Sequence, residues 1–332
     1  MKALVTGATG FIGGNLVREL LKDGHDVRAL CRPKADRSML RGLDVEILTG
    51  DLRDRASLAW AVEGREAVFH TAALYSLWSP DPRNFIKTNV DGTVNILEAA
   101  MEGSVSRVVY TSTASVFGHW KGGPVPNERS TCSLEEIADG YHRSKFLAEA
   151  QALDFCKRGL DMVVVNPTAP IGPWDPKPTP TGRIVLDFIR GRMPAYIDTG
   201  INIVDVRDVA RGHILAYEKG RTGERYILGN RNLTLKELFG ALADVTGMSA
   251  PRVRLPYGLA MTLAQVDHLL SVKLLSKQPR IPLAGVRMAR HPMYFDGSKA
   301  VSELGMPQTP LETPLRDAVS WFRNRGPLGV AA

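Results

Sequence analysis

Tyr141 and Lys145 lie four residues apart in a segment, Gly140 to about Arg158, that reads as a helix, so their side chains share one face. An ammonium close to a phenol favours the phenolate. That lowers the tyrosine from about 10 towards neutral pH and makes it a usable proton donor or acceptor. Upstream, Thr111-Ser112-Thr113-Ala114-Ser115 ends the buried run Arg107-Val108-Val109-Tyr110, which sets a cluster of hydroxyls at the carboxyl end of a strand. Open α/β sheets hold their ligands at such ends. A third motif opens the chain, Gly7-Ala8-Thr9-Gly10-Phe11-Ile12-Gly13. It follows the apolar run Ala3-Leu4-Val5 and precedes Phe11 to Leu21, whose apolar residues recur at helical spacing. Strand, glycine turn and helix in that order bring backbone close to a pyrophosphate and aim the positive end of a helix at it. Gly7, Thr9, Gly10, Phe11, Ile12 and Gly13 are therefore candidate cofactor contacts.

The end of the second strand, read as His25 to Cys31, decides which dinucleotide fits. An acid there takes the ribose hydroxyls of NAD, and a base takes the extra phosphate of NADP. Arg32 stands about twenty residues beyond the last glycine, where the acid would otherwise sit, and Lys34 adds a second charge. Asp26, at the strand's entry, comes too early. A planar guanidinium suits a phosphate and stacks on adenine. NADP is the expected cofactor, with NAD as the alternative.

These residues need a frame. Further apolar runs at Ala67 to His70, Val108 to Thr111 and Met162 to Val165 alternate with helical patterns. The fold class expected is α/β, a Rossmann-like doubly wound parallel sheet, with a smaller, mostly helical C-terminal substrate lobe. Residues 1–170 form the dinucleotide-binding domain, its sheet completed by parts of 200–230, and 171–326 form the interleaved substrate-binding lobe. Five prolines from Pro170 to Pro180 read as an irregular loop bordering the site. Beyond it, Thr181 to Gly191 reads as a helix, Asn202 to Val206 as a strand returning to the sheet, and Val209 to Glu218 as a helix.

With these motifs in place, the chain resembles the extended short-chain dehydrogenase/reductases along nearly its whole length. It is especially similar to the dihydroflavonol reductase-like branch and to hopanoid-associated sugar epimerase-type proteins. The GxxGxxG spacing, Gly50-Asp51-Leu52-Arg53-Asp54, His70-Thr71-Ala72-Ala73, Asn89-Val90-Asp91-Gly92-Thr93, Tyr141 to Lys145, Asn166-Pro167 and Gly172-Pro173 carry the resemblance. It implies that Tyr141 donates the proton, that Lys145 lowers its pKa and holds the nicotinamide ribose, and that Thr113 positions the substrate oxygen. The family often has serine at that position; threonine keeps the hydroxyl. It further implies that Asp51 and Leu52 contact adenine and that Ala72 and Ala73 line the phosphate side. Asn89 would hold backbone near the active site, and Pro167 and Thr168 would form the turn beside the nicotinamide. A homodimer through the helix after Tyr141 and the one from about Asn84 to Met101 is implied as well.

The 332 residues are 44% hydrophobic and carry a net charge of +7, spread without a basic stripe interleaved with aromatics, so nucleic-acid binding is not expected. Cys31, Cys132 and Cys156 lack CxxC spacing, and the seven histidines are scattered, so no metal site is indicated. Leu255 to Leu275 is apolar at helical spacing, but Asp267, His268 and Lys273 break it too often for a membrane span. It reads as a core helix of the smaller lobe, with a membrane-surface helix as the other possibility. The chain opens directly on strand one, and a cytoplasmic location is expected. The function expected is reduction of a carbonyl substrate by an NADP-dependent oxidoreductase. The alternatives are an NAD(P)-dependent nucleotide-sugar epimerase or dehydratase and, third, a non-catalytic cofactor-sensing protein.

Overall fold

The computed structural model describes residues 1–137, 140–274, 279 and 281–324. Residues 138–139 of the expected dinucleotide-binding domain and 275–278, 280 and 325–326 of the expected lobe, with 275 the end of the apolar stretch, lie outside the described residues.

Strands β1 (Lys2–Thr6), β2 (Asp26–Cys31), β3 (Glu46–Thr49), β4 (Ala67–His70), β5 (Arg107–Thr111) and β6 (Met162–Pro167) are joined by helices on both faces. Beyond them come β7 (Ala169–Ile171), β8 (Ala195–Ile197), β9 (Gly200–Asp205), β10 (Arg225–Leu228), β11 (Arg231–Thr234) and β12 (Val253–Leu255). The main sheet is parallel throughout, in the order β10-β6-β5-β4-β1-β2-β3. The order reverses at β1, which opens a crevice between β1 and β4 at the carboxyl ends. Its inner strands are continuous apolar runs because both faces are covered. Ala3 and Val5 face α1 (Phe11–Lys22), while Leu4, one residue out of phase, faces the opposite layer with Leu58, Ile96 and Ala148.

The opposite layer is built from α2 (Arg55–Val62), α3 (83–102) and α4 (Gly140–Lys157). Helix α3 runs unbroken but carries a π-turn at Ile86–Asp91. On the α1 side the cover is completed by α6 (Val206–Lys219), which follows α5 (Pro180–Ile189). The C-terminal part adds α7 (Leu235–Thr246), α8 (Tyr257–His268), α9 (Leu283–Met288) and α10 (Glu312–Asn324). A separate core unites Leu186 and Phe188 of α5, Leu238 and Phe239 of α7, and Leu315 and Phe322 of α10. Asp54, Thr179, Asp205 and Thr234 cap α2, α5, α6 and α7 with side-chain oxygens that accept from first-turn amides.

Three expectations are corrected. The strand read at Asn202–Val206 is β9, and it pairs with β7 and β11 in a separate three-stranded sheet, so the strand that returns to the main sheet is β10. The run of prolines is not wholly irregular: Pro170 sits in β7, an edge strand where a missing N–H is tolerated, and Pro180 opens α5, where the first amide has no helical partner. Helix α8 enters a small core of the lobe with Ala260, Ala264 and the half-buried Tyr257 and Met261, but it leaves Leu259, Leu263 and Val266 in solvent, so it is a core helix on one face alone. Among the described residues no helix is long and apolar enough to cross a membrane.

Candidate active site

The glycine turn is closed by local packing. Gly7 has φ +73°, and a Cβ there would lie 2.7 Å from the Ala72 nitrogen; a Cβ on Gly13 would lie 2.3 Å from the Gly7 carbonyl oxygen. Neither position tolerates a side chain, which lets α1 approach β1 and β4 closely. Gly10 caps α1 without a side-chain acceptor and is exposed, so the first-turn amides at Phe11, Ile12 and Gly13 remain available to an anion. A pyrophosphate fits this cradle: bare backbone, an uncapped helix N-terminus and no carboxylate in the first turn.

Beside the turn, Ala72 donates its N–H to the Thr6 hydroxyl at 3.2 Å, while Thr71 Oγ1 donates to the Thr6 carbonyl at 2.7 Å. The chain from Thr71 through the half-buried Ala73 is thereby fixed along the crevice wall. Arg32 and Lys34 extend from the end of β2 and are exposed. Gly50 donates its N–H to the Cys31 carbonyl at 3.0 Å, which brings Asp51 next to Arg32. Arg53, which forks onto the Asp51 carboxylate at 2.9–3.0 Å, holds that carboxyl below its usual range, and Arg32 adds to the effect. Leu52 is buried. Asp26 is spent on an ion pair with Arg65, away from this edge.

At the other side of the crevice, α4 carries Tyr141 and Lys145 on its sheet-facing side, both buried. The Tyr141 ring meets Tyr75 at 4.8 Å between centroids and His142 edge-on at 4.9 Å. Lys145 Nζ donates to the Tyr110 hydroxyl at 3.0 Å and to the Thr111 carbonyl at 2.6 Å, so the ammonium is drawn to the end of β5. Complete burial pushes it down to about 7, partly opposed by the carboxylate of Glu149. Thr113 follows β5 and begins a short helical turn, its Oγ1 accepting from the Ser115 N–H at 3.4 Å.

Asn89 sits in the π-turn of α3, where the widened backbone turns it inward. It accepts from the Leu74 N–H at 2.7 Å and donates to Ser144 Oγ at 2.8 Å, while Ser144 donates to the Tyr141 carbonyl at 2.6 Å. One side chain thus ties the loop bearing Tyr75 to the helix bearing Tyr141. Pro167 ends β6, and Thr168 donates its N–H to Leu228 and its hydroxyl to Asn202 Oδ1 at 2.9 Å.

Further residues surround these, among them Glu149, which the sequence reading passed over. Glu149 continues the Tyr141, Lys145 spacing by another turn of α4, a signal that was available. It accepts from Asn166 Nδ2 at 2.7 Å, and Asn166 also donates to the Thr113 carbonyl, so this buried asparagine braces the site. Tyr110 and His70 are register partners on β5 and β4 with stacked rings. His70 bridges the hydroxyls of Thr6 and Thr93, and burial pushes it down to about 3, so it is neutral. The fold also gathers His119, His142 and His291: the rings of His119 and His291 stack at 6.3 Å, and His142 acts on the charge of His119. Among the described residues no group of side chains could hold a metal. Trp174 lies on the Arg18 guanidinium at 4.1 Å and against Trp321, over α1 rather than at Tyr141.

A family model described as NAD dependent epimerase/dehydratase family matches residues 3–229. A Synechocystis sp. protein carrying the provisional name of a dihydroflavonol 4-reductase is 44% identical over 326 residues, covering 97% of this chain and 94% of its own. Sterol demethylase protein B of Methylococcus capsulatus is 38% identical over 98% of this chain and 99% of its own. Among solved structures, dTDP-glucose 4,6-dehydratase from Streptomyces venezuelae with NAD bound is 27% identical, covers 98% of both chains and has a TM-score of 0.79.

Proposed function

Because the chain belongs to the NAD dependent epimerase/dehydratase family and is thus an NAD(P)-dependent enzyme, we propose that it is an NADP-dependent reductase of a carbonyl substrate. The observation that carries this reading is the basic end of β2: Arg32, beside Asp51, and Lys34 are both exposed, and the early acid Asp26 is paired elsewhere. A 2′-phosphate finds two cations there, and a pair of ribose hydroxyls finds no acid at the carboxyl end of β2. The remaining contacts are the uncapped turn from Gly7 to Gly13, Asp51 and Leu52 at adenine, Ala72 and Ala73 at the phosphates, and Pro167 and Thr168 at the nicotinamide.

When bound, the reduced nicotinamide supplies hydride to the carbonyl carbon. Tyr141 protonates the carbonyl oxygen, and Thr113 donates a second hydrogen bond that stabilises the developing alkoxide. Lys145 uses two of its three N–H groups on β5; the third serves the ribose and the Tyr141 hydroxyl. Asn89 keeps Tyr75 and Tyr141 in register around the substrate. Two copies pair through α3 and α4, whose Ile86 and Leu147 are exposed apolar residues.

A second reading, a nucleotide-sugar epimerase or dehydratase, is supported by the likeness to the Streptomyces venezuelae dehydratase. Such an enzyme regenerates its cofactor and keeps it. Denaturing the purified protein and identifying what it releases separates the two. An empty site that takes up NADPH more tightly than NADH is expected; stoichiometric release of NAD would overturn the reductase in favour of the second reading.

A further inference from the structure

Helix α8 is built inside out. Ala260 and Ala264 face the lobe, whereas Leu259, Leu263, Val266 and Leu270 are 51, 45, 50 and 48% exposed. Their spacing of four, three and four residues makes one apolar stripe along α8 and its continuation Leu269–Leu274, and Leu269 widens it at 50% exposed. A contiguous stripe of large aliphatic side chains marks a surface that is covered in use.

The charge around the stripe says what covers it. By sequence, residues 252–290 hold seven arginines and lysines against one acid, so this segment carries six of the chain's seven net positive charges and the rest is close to neutral. Arg252 and Arg254 precede the helix, Arg287 and Arg290 follow on α9 and the turn after it, and all four are exposed. The one acid, Asp267, accepts from Ser271 Oγ at 3.1 Å and from the Ile281 N–H at 2.7 Å. Beyond that segment Asp198 pairs with Arg254 at 2.7 Å, which leaves Arg252, Arg287 and Arg290 in excess, so a second copy meeting this face about a two-fold axis would bring mainly cation to cation. A nucleic acid would match the charge but leave the leucines in water. An anionic bilayer matches both: acyl chains take the stripe, and headgroups take the arginines.

Through α9, helix α8 is also linked to the site. Helix α9 packs on α8, and a Cβ on Gly285 of α9 would lie 3.4 Å from Leu77 Cδ1, two residues beyond the Tyr75 that meets Tyr141. We propose that α8 and its flanking arginines form an interfacial docking surface that seats this protein on an anionic lipid membrane, with the mouth of the active site beside the bilayer. The proposal holds whichever reaction the site performs.

The test is co-sedimentation of the full chain with vesicles of equimolar phosphatidylglycerol and phosphatidylcholine, and with phosphatidylcholine alone. Binding to the anionic vesicles that weakens with salt is expected, with a fall of at least about tenfold in a Leu263→Glu, Val266→Glu double variant. Circular dichroism and NADPH uptake report whether that variant is folded. Should it not fold, an Arg252→Gln, Arg254→Gln variant is expected to weaken binding to the anionic vesicles in the same assay. Three results would overturn the proposal: no sedimentation with anionic vesicles, undiminished binding of either folded variant, or a dimer of the free chain that Leu263→Glu dissociates.

Discussion

Burial sets the chemistry of single residues here. Lys145 loses its hydration entirely, so its ammonium survives to about 7 only with help from Glu149 and the two oxygens at the end of β5. Replacing Glu149 with Gln removes the charge that raises the Lys145 pKa, so the ammonium deprotonates at lower pH. The high-pH limb of kcat/KM is expected to move to lower pH by about one unit. A profile that superimposes on the parent enzyme's would show that Glu149 only packs. For Tyr141→Phe, loss of the proton donor is expected to cut turnover by about 10²–10⁴-fold while NADPH affinity stays within about twofold. Near-normal turnover would assign the proton to another group.

Elements constrain the site through close approach. The glycine turn works because α1 begins where β1 ends with no side chain between them. A Gly13→Ala variant would place a methyl 2.3 Å from a backbone oxygen and 2.7 Å from Thr71 Oγ1. Backbone must then shift, at a cost of about 1–3 kcal/mol. A lower melting temperature together with at least about tenfold weaker NADPH binding is the expected result; unchanged affinity would place the cofactor elsewhere. The π-turn in α3 works the other way, adding width so that Asn89 reaches both a loop and a helix.

At the scale of the whole molecule, two fully buried histidines link folding to pH. His70 and His213 are pushed down to about 3 and about 4 by burial. Both take up protons near the ordinary 6.5 once the chain unfolds, so from there down to the folded values the unfolded state holds more protons. Stability is therefore complete above about 6.5 and falls as the pH drops, by about 1.4 kcal/mol per pH unit for each histidine. Urea unfolding at pH 7, 6 and 5 should show this slope, and His213→Gln should flatten it by one histidine's share; an unchanged slope would mean that His213 does not contribute. The sequence by itself determined the parallel sheet, the glycine turn and the shared helix face of Tyr141 and Lys145, because each rests on periodicity or spacing along the local chain. Tertiary structure alone decided that β9 leaves the main sheet, that Lys145 turns to Tyr110, that three scattered histidines meet, and that α8 exposes its leucines. Each of these depends on which surfaces distant segments cover, and a helix pattern is the same whether its apolar face meets a core or faces out.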